Sequence, residues 1–433
     1  MARSVEAQWP MSWDAPSKRD RRGGTYRAYV PDPLHSRPWI FSEGIAELAA
    51  EVETQVRSLT HRQDAQALEG LARFLLRSEA IASSRIEGLQ VSPQQVALAE
   101  LAAADEESAV RGFSNTARLV ANNVAALRLA VTDLVTMPEL TADGVLALHR
   151  ALLPDERHHG LRTVQNWVGG GDWHPLDAEF TPPPPAFVPG LIDDLVLYMN
   201  SATHGPLVQA ALTHAQFETI HPFTDGNGRV GRALIHTVLT RRGLTRTAVL
   251  PISLVLLTRS DTYVAGLTSY RYVGSPDSPE ALAGVEEWLR VFLTAARTAT
   301  EQATRFVEEL SELRDEWRQR HQAHRRSQGL RGAPRADSAV ARLLDLLPAV
   351  PLVTARTLQR LLSISHPAAR QALEELAAAQ ILSAKQVERG TTGYLARDVF
   401  NLLTITERRL ASIRWDTRER PPRRPVPARP SHH

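Results

Sequence analysis

One unbroken run of twelve residues carries most of the chemistry this chain can offer: His221-Pro222-Phe223-Thr224-Asp225-Gly226-Asn227-Gly228-Arg229-Val230-Gly231-Arg232. Its small residues let backbone N–H groups approach an anion, and a helix starting there points its positive end at the same place. Arg229 and Arg232, three apart in the first turn of that helix, share a face and converge on the anion. Cations at a helix N-terminus oppose the dipole, so a compensating anion is expected. Asp225 stands where a carboxylate would hold Mg²⁺ between phosphate oxygens. His221 closes the preceding helix and is placed to act as a general base. A phosphate cradle, a metal ligand and a base together point to phosphoryl or nucleotidyl transfer. A plain helix–turn–helix elbow would explain the glycines and Asp225, but not a histidine with two aligned arginines. No Gly-Lys-Ser/Thr follows the glycines, and no His-Glu-x-x-His occurs in the chain, which argues against a P-loop NTPase and a metalloprotease.

A second group lies upstream, at Ser83-Ser84-Arg85-Ile86-Glu87-Gly88. Glu87 falls at the end of a helix, where a carboxylate faces the negative end of the dipole and is disfavoured. It needs a cation from elsewhere in the fold, from Arg85, or from solvent.

The elements that must position these groups are helical. An apolar helix precedes the run (Ala210, Leu212, Ala215, Ile220) and another follows it (Ala233, Leu234, Ile235, Val238, Leu239). Ile45, Leu48, Val52 and Val56 repeat at helical spacing over 44–60. A second helix is expected over 64–87, stopped by Gly88. Others are expected over 93–104, 108–134, 138–153, 190–201 and 205–219, and a long charged helix over 286–326. Residues 160–189 differ: three glycines (169–171), Trp167, Trp173 and a proline run (182–185) predict a β-hairpin followed by extended chain.

At 433 residues the chain is long enough for about three domains. It has no cysteine, which excludes disulfides, thiolate metal sites and thiol nucleophiles. Fifty basic residues against 48 acidic ones give a net charge of +2, which selects no partner, and all the bases but Lys18 and Lys385 are arginines. No run reaches the ~18 apolar residues of a membrane span, and no apolar segment follows the N-terminal charges as in a secretory leader. A cytoplasmic protein without membrane contact is expected. The boundaries read as an irregular N-terminal arm (1–40), an N-terminal helical region (41–135), a core with its trailing helix (136–326), a linker near Ser327–Pro334, a compact unit (337–412) and a disordered Arg/Pro tail (413–433).

The twelve-residue run resembles, at every specified position, the His-Pro-Phe-x-Asp-Gly-Asn-Gly-Arg-x-x-Arg signature of the Fic (filamentation induced by cAMP) family. That resemblance implies a mainly α fold: a Fic-type helical core with a β-hairpin flap. It also implies an enzyme that moves AMP from ATP to a hydroxyl side chain of a target protein and releases pyrophosphate. By position, His221 would be the base and Asp225 the Mg²⁺ ligand. Gly226, Asn227 and Gly228 would form the anion hole, with Asn227 also touching phosphate, and Arg229 and Arg232 would grip the phosphates. Residues 160–189, with Gln165-Asn166-Trp167-Val168-Gly169-Gly170, resemble the flap that lays a target peptide beside the histidine by strand addition. Ser83, Glu87 and Gly88 resemble the family's inhibitory motif, whose glutamate would pair with Arg232 and block the γ-phosphate. In some members the same glutamate supports AMP removal. Asp261-Thr262-Tyr263-Val264-Ala265-Gly266-Leu267 resembles the segment near the nucleotide base, with Tyr263 as a contact and Val264 where a second tyrosine is common. His214, two turns before His221, is expected to be buried and structural.

Residues 337–412 read as helix, short helix, helix and two strands, the order of a small winged helix-turn-helix. Ser365, His366, Arg370 and Gln371 would face DNA, with Lys385 and Arg389 on the wing; Glu374 and Glu375 oppose that role. Such a unit also serves in docking or dimerisation. The expected partners are therefore ATP, an unidentified target protein or the chain itself, with DNA and a second copy as further candidates. A DNA-binding regulator with a nucleotide-sensing core is the alternative of another class, and transfer of another phosphate-containing group or AMP removal is a third.

Overall fold

Helical spacing of apolar residues governs the result. The computed structural model, which describes residues 1–35, 39–61, 65–104, 110–245, 249–330 and 335–413, is mainly helical. Its first element is nevertheless an antiparallel ribbon, β1 (Arg3–Trp9) and β2 (Gly24–Val30), with Arg3 opposite Val30 and Trp9 opposite Gly24. The expectation of an irregular arm is corrected here. Val5, Ala7 and Trp9 alternate on one strand and Tyr26, Ala28 and Val30 on the other, a period-two pattern that turns half the side chains inward.

Helices α1 (Glu43–His61), α2 (Ala65–Ile86), α3 (Pro93–Ala104), α4 (Asn115–Val131), α5 (Asp133–Thr136) and α6 (Ala142–Leu152) follow. The helix expected from 108 starts at Asn115 because Ser114 caps it, accepting from the Ala117 N–H at 3.1 Å. The stretch Asn115–Thr136 is long and apolar enough to cross a membrane by length and composition, which the reading of the sequence missed. Here it packs against α2, α3 and α6, burying Val120, Val124 and Leu127.

The centre is α7 (Val188–Asn200), α8 (Pro206–Ile220), α9 (Asn227–Arg241), α10 (Ile252–Thr258) and α11 (Ser260–Ser269). Every residue of α8 is buried, as in a helix enclosed on all sides. Then comes α12 (Pro279–Ser327), 49 residues and about 74 Å long, starting earlier than expected because Ser278 caps it. It runs past α1, α8, α10 and α11.

The C-terminal unit comprises α13 (Ala339–Leu346), β3 (Leu352–Thr354), α14 (Ala355–Leu362), α15 (His366–Ala378), β4 (Ser383–Glu388), β5 (Thr391–Leu395) and α16 (Arg397–Ile413). Its sheet has the order β3-β5-β4, all antiparallel. The short helix expected second in this unit begins at Ala355, since Thr354 ends β3 and caps α14. The expected tail lies, from residue 414 on, outside the described residues. Trp317 and Arg320 of α12 both donate to the Asp398 carboxylate, at 3.0 and 3.1 Å, and His321 contacts Glu375 at 2.6 Å. One apolar core runs through both parts.

Residues 160–189 do not form the expected two-stranded hairpin. A single bridge joins Val168 to Phe180, with short 3₁₀ turns at Pro175–Asp177 and Pro185–Phe187. The glycines and prolines that mark the segment as non-helical also deprive it of a ladder.

Candidate active site

The signature run closes α8 and opens α9. His221 takes the left-handed conformation (φ 49°, ψ 61°), and its N–H caps α8 by donating to the Phe217 carbonyl at 2.9 Å. Gly226 (φ 81°) precedes α9; a Cβ there would lie 2.9 Å from Leu152, so both backbone and space demand glycine. His149 stacks on Phe223 (centroids 3.8 Å apart, 11°) and reaches the Asp225 carbonyl through Nε2 at 3.0 Å.

Arg162 secures the loop from outside. It donates to the carbonyls of His221 (2.8 Å), Val164 (3.1 Å), Pro183 (2.5 Å) and Ile220 (3.3 Å). Asn166 adds donations to the carbonyls of His221 (3.2 Å) and Phe223 (3.0 Å). The N-terminal ribbon in turn braces this segment. Trp9 meets Trp167 edge-on at 5.3 Å, the Tyr29 N–H donates to the Thr181 carbonyl at 2.9 Å, and Arg19 and Arg22 converge on Asp177.

The two groups singled out in the sequence meet at the N-terminus of α9. Arg232 is buried and donates from Nη2 to Glu87 Oε1 (2.6 Å) and to the Ser83 carbonyl (2.9 Å), and from Nε to Ser83 Oγ (2.9 Å). A Cβ on Gly228 would lie 2.0 Å from Glu87 Oε1, so the carboxylate rests directly on the first turn of the helix. Gly88 (φ 79°) turns the chain away just after Glu87. Burial alone would raise the Glu87 carboxyl, but Arg232, with Arg229 and His221 beyond it, holds it below the usual carboxylate range. Three further links fix the helix that presents it. Glu79 accepts from Ser253 Oγ at 2.5 Å and faces His236 Nε2 at 2.9 Å, while Asn123 donates to the Ala80 carbonyl at 2.9 Å.

Arg229 is 4% exposed, and its Nη2 donates to Asp225 Oδ1 at 3.3 Å. Its Nε and Nη1 are buried without a partner among the described residues, a costly arrangement that an anion would relieve. Burial pushes the His221 imidazole down to about 4, leaving it neutral and able to accept a proton at neutral pH. Beneath it, burial pushes Glu218 up to about 7 despite Arg232 and Arg271 nearby.

For Mg²⁺ the fit rests on Asp225. Its carboxylate is 57% exposed beside the cradle, and also accepts from the Gly226 N–H at 2.5 Å. Among the described residues no three His, Cys, Asp or Glu cluster as a metal cage. One carboxylate with phosphate oxygens and water is an ordinary Mg²⁺ environment, so the residues fit the ion.

Two of the named side chains have their partners within the fold. The Asn227 amide does not face the cradle: it accepts from the Phe223 N–H and donates to the Phe223 carbonyl, both at 2.8 Å, so it staples the loop. Tyr263 is buried, stacked on His214, accepting from Arg232 at 3.5 Å and bonded to His214 Nε2 at 2.8 Å. His214 is buried as expected. The reading of the sequence missed Arg162, His149 and Glu218 as parts of the site. They act on backbone carbonyls or from beneath, and no spacing advertises that; a lone buried-type arginine before the glycine-rich segment was the one available signal.

Comparison with known proteins adds the following. Residues 139–239 match the model of the Fic/DOC family, and residues 58–132 match that of the Fic/DOC family N-terminal segment. The chain is 33% identical over 149 residues to protein adenylyltransferase fic-1 of Caenorhabditis elegans, which covers 33% of this chain and 27% of that one. It is 46% identical over 72 residues to a probable protein adenylyltransferase of Aquifex aeolicus, covering 16% and 22%. The match thus spans about a quarter of the length of these relatives. A Fic family protein from Desulfovibrio desulfuricans superimposes with a TM-score of 0.48 at 21% identity, covering 83% of this chain and 97% of that one.

Proposed function

We infer that this chain, which carries a Fic/DOC-family domain and that family's N-terminal segment, is a self-inhibited protein adenylyltransferase. The observation that carries the reading is the Glu87 carboxylate, lying on the first turn of α9 and gripping Arg232 at 2.6 Å, where a phosphate would otherwise sit. Homologues named adenylyltransferase support the reaction class.

In this reading ATP lays its phosphates on the α9 N-terminus, against the unpartnered donors of Arg229. Mg²⁺, when bound, neutralises phosphate charge, and Asp225 supplies the carboxylate that holds it. Neutral His221 takes the proton of the target hydroxyl, whose oxygen bonds to the α-phosphorus as the bond to the β-phosphate oxygen breaks and pyrophosphate leaves. Arg162 and Asn166 keep His221 at the correct height. With Glu87 in place, Arg232 cannot turn its Nη2 to the γ-phosphate, and productive placement fails. Loss of the glutamate frees one charge-assisted donor.

The C-terminal unit is proposed to be a winged helix-turn-helix, supported by its helix–strand–helix–helix–strand–strand order. Its charges favour docking over DNA: Ser365 is spent capping α15, Arg370 pairs with Glu374 at 2.7 Å, and Glu375 is held by His321.

Incubation of wild type, Glu87→Gly and Glu87→Gly/His221→Ala with Mg²⁺ and ATP labelled at the α-phosphate, alone and with cell lysate, tests the reading. Label should rise at least ~10-fold in Glu87→Gly, as expected for restoring a charge-assisted contact, and vanish in the double variant. Equal label in wild type and Glu87→Gly would remove the brake from the account. No protein-bound label from any variant, with ATP binding intact, would remove the transferase.

A further inference from the structure

A cavity of about 370 Å³ lies between α2, α3 and α4 on one side and residues 349–352 with α14 on the other, remote from the signature loop. Leu76, Leu101 and Leu352 contribute apolar wall. Among the described lining residues four arginines, Arg73, Arg77, Arg128 and Arg360, stand around it against one acid, Glu100. That acid is engaged: it accepts from Arg77 at 2.8 and 3.4 Å, and Arg77 also reaches the Ala349 carbonyl at 3.3 Å. Arg77 is the buried member; Arg73, Arg128 and Arg360 are exposed at the mouth, where Arg360 touches the Ala104 carbonyl at 3.3 Å.

An apolar cavity of this volume with a few convergent polar groups has the dimensions of a small-molecule site. The excess of guanidinium selects an anion, and its planar fork suits carboxylate, phosphate or sulfonate. The leucine walls select an apolar body. We propose that this cavity is a binding site for an amphipathic anion, with its acidic head at Arg128 and Arg360 and its apolar body against α2 and β3.

The location gives occupancy a consequence. The ligand would touch three helices and the C-terminal unit at once, and α2 continues from Arg77 to its end at Ile86, about 14 Å along one helix, with Glu87 the next residue. Bridging these elements fixes α2 and therefore steadies the segment that presents Ser83 and Glu87.

The probe is 8-anilinonaphthalene-1-sulfonate, titrated by fluorescence into the full chain. Saturable one-site binding is expected, at least tenfold weaker in Arg128→Glu/Arg360→Glu and in Ala125→Trp, which fills the mouth without changing charge. N-phenyl-1-naphthylamine, the same rings without sulfonate, should also bind at least tenfold more weakly. Dodecanoate and 1-naphthyl phosphate, added as competitors, separate an acyl carboxylate from an aryl phosphate as the preferred head. Amide exchange through 73–88 should slow on saturation in wild type and not in the variants. Equal binding of the sulfonate to wild type and Ala125→Trp overturns the site, as does failure of both competitors. Unchanged exchange with intact binding overturns the link to Glu87. None of these readouts needs AMP transfer.

Discussion

Arg232 spends its donors on Ser83, Glu87 and Tyr263, so the signature arginine is held by the chain's own N-terminal region. Dipole arguments marked a carboxylate at the wrong end of one helix and cations at the wrong end of another as short of partners; that the two meet was implied only by the resemblance to the Fic signature and its inhibitory motif. It did not announce Arg162, whose contacts all end on backbone carbonyls and so leave no complementary side chain to notice. Arg162→Gln is expected to lower AMP transfer in the Glu87→Gly background about 100-fold through misplacement of His221, with ATP affinity by calorimetry unchanged; a parallel loss of ATP affinity would refute a purely positioning role. Gly231 is constrained from beneath, since a Cβ would lie 2.7 Å from Glu218 Oε1 and 3.0 Å from Phe217. Gly231→Ala should therefore cost about 1–3 kcal/mol, read from urea unfolding. A cost near zero would mean that Glu218 has room to move.

At the scale of elements, helices were legible because apolar spacing of three and four persists over many turns. The N-terminal ribbon was not, because only three inward residues per strand alternate, among Arg, Gln and Glu that mask the pattern. Residues 160–189 were legible only as something other than helix; glycine and proline specify a break without specifying the pairing. The ribbon and this segment are joined through Trp9 and Trp167. Trp9→Ala should accelerate amide exchange at Val168 and Phe180, whose N–H groups form the single bridge, while leaving the global unfolding midpoint within a few degrees. Unchanged exchange at both amides would show that Tyr29 and the Asp177 ion pairs suffice.

For the whole molecule, burial pushes His149 to about 4, His214 to about 3 and His221 to about 4. Between pH 6.5 and about 4 the unfolded chain binds protons that these rings refuse, so stability falls as pH falls through that window. Glu218 works the other way: pushed up to about 7 by burial, it favours the folded state as pH falls from about 7 towards 4.5. Burial lowers the His204 imidazole as well, so four rings oppose one carboxyl and the melting temperature should drop from pH 6.5 to 4.5. Glu218→Gln should steepen that drop and His214→Gln should flatten it; a melting temperature that rises on acidification would refute the assignment. A different consequence follows from the long reach of the N-terminus, where Ala2 bridges Gly274 and the Tyr29 hydroxyl donates to the Tyr272 carbonyl. At 5–20 residues per second, a ribosome makes Gly274 roughly 14–54 s after Ala2. The ribbon is synthesised well before the residues around Gly274 on which it rests, and until those emerge its two strands wait without the surface they are built to meet.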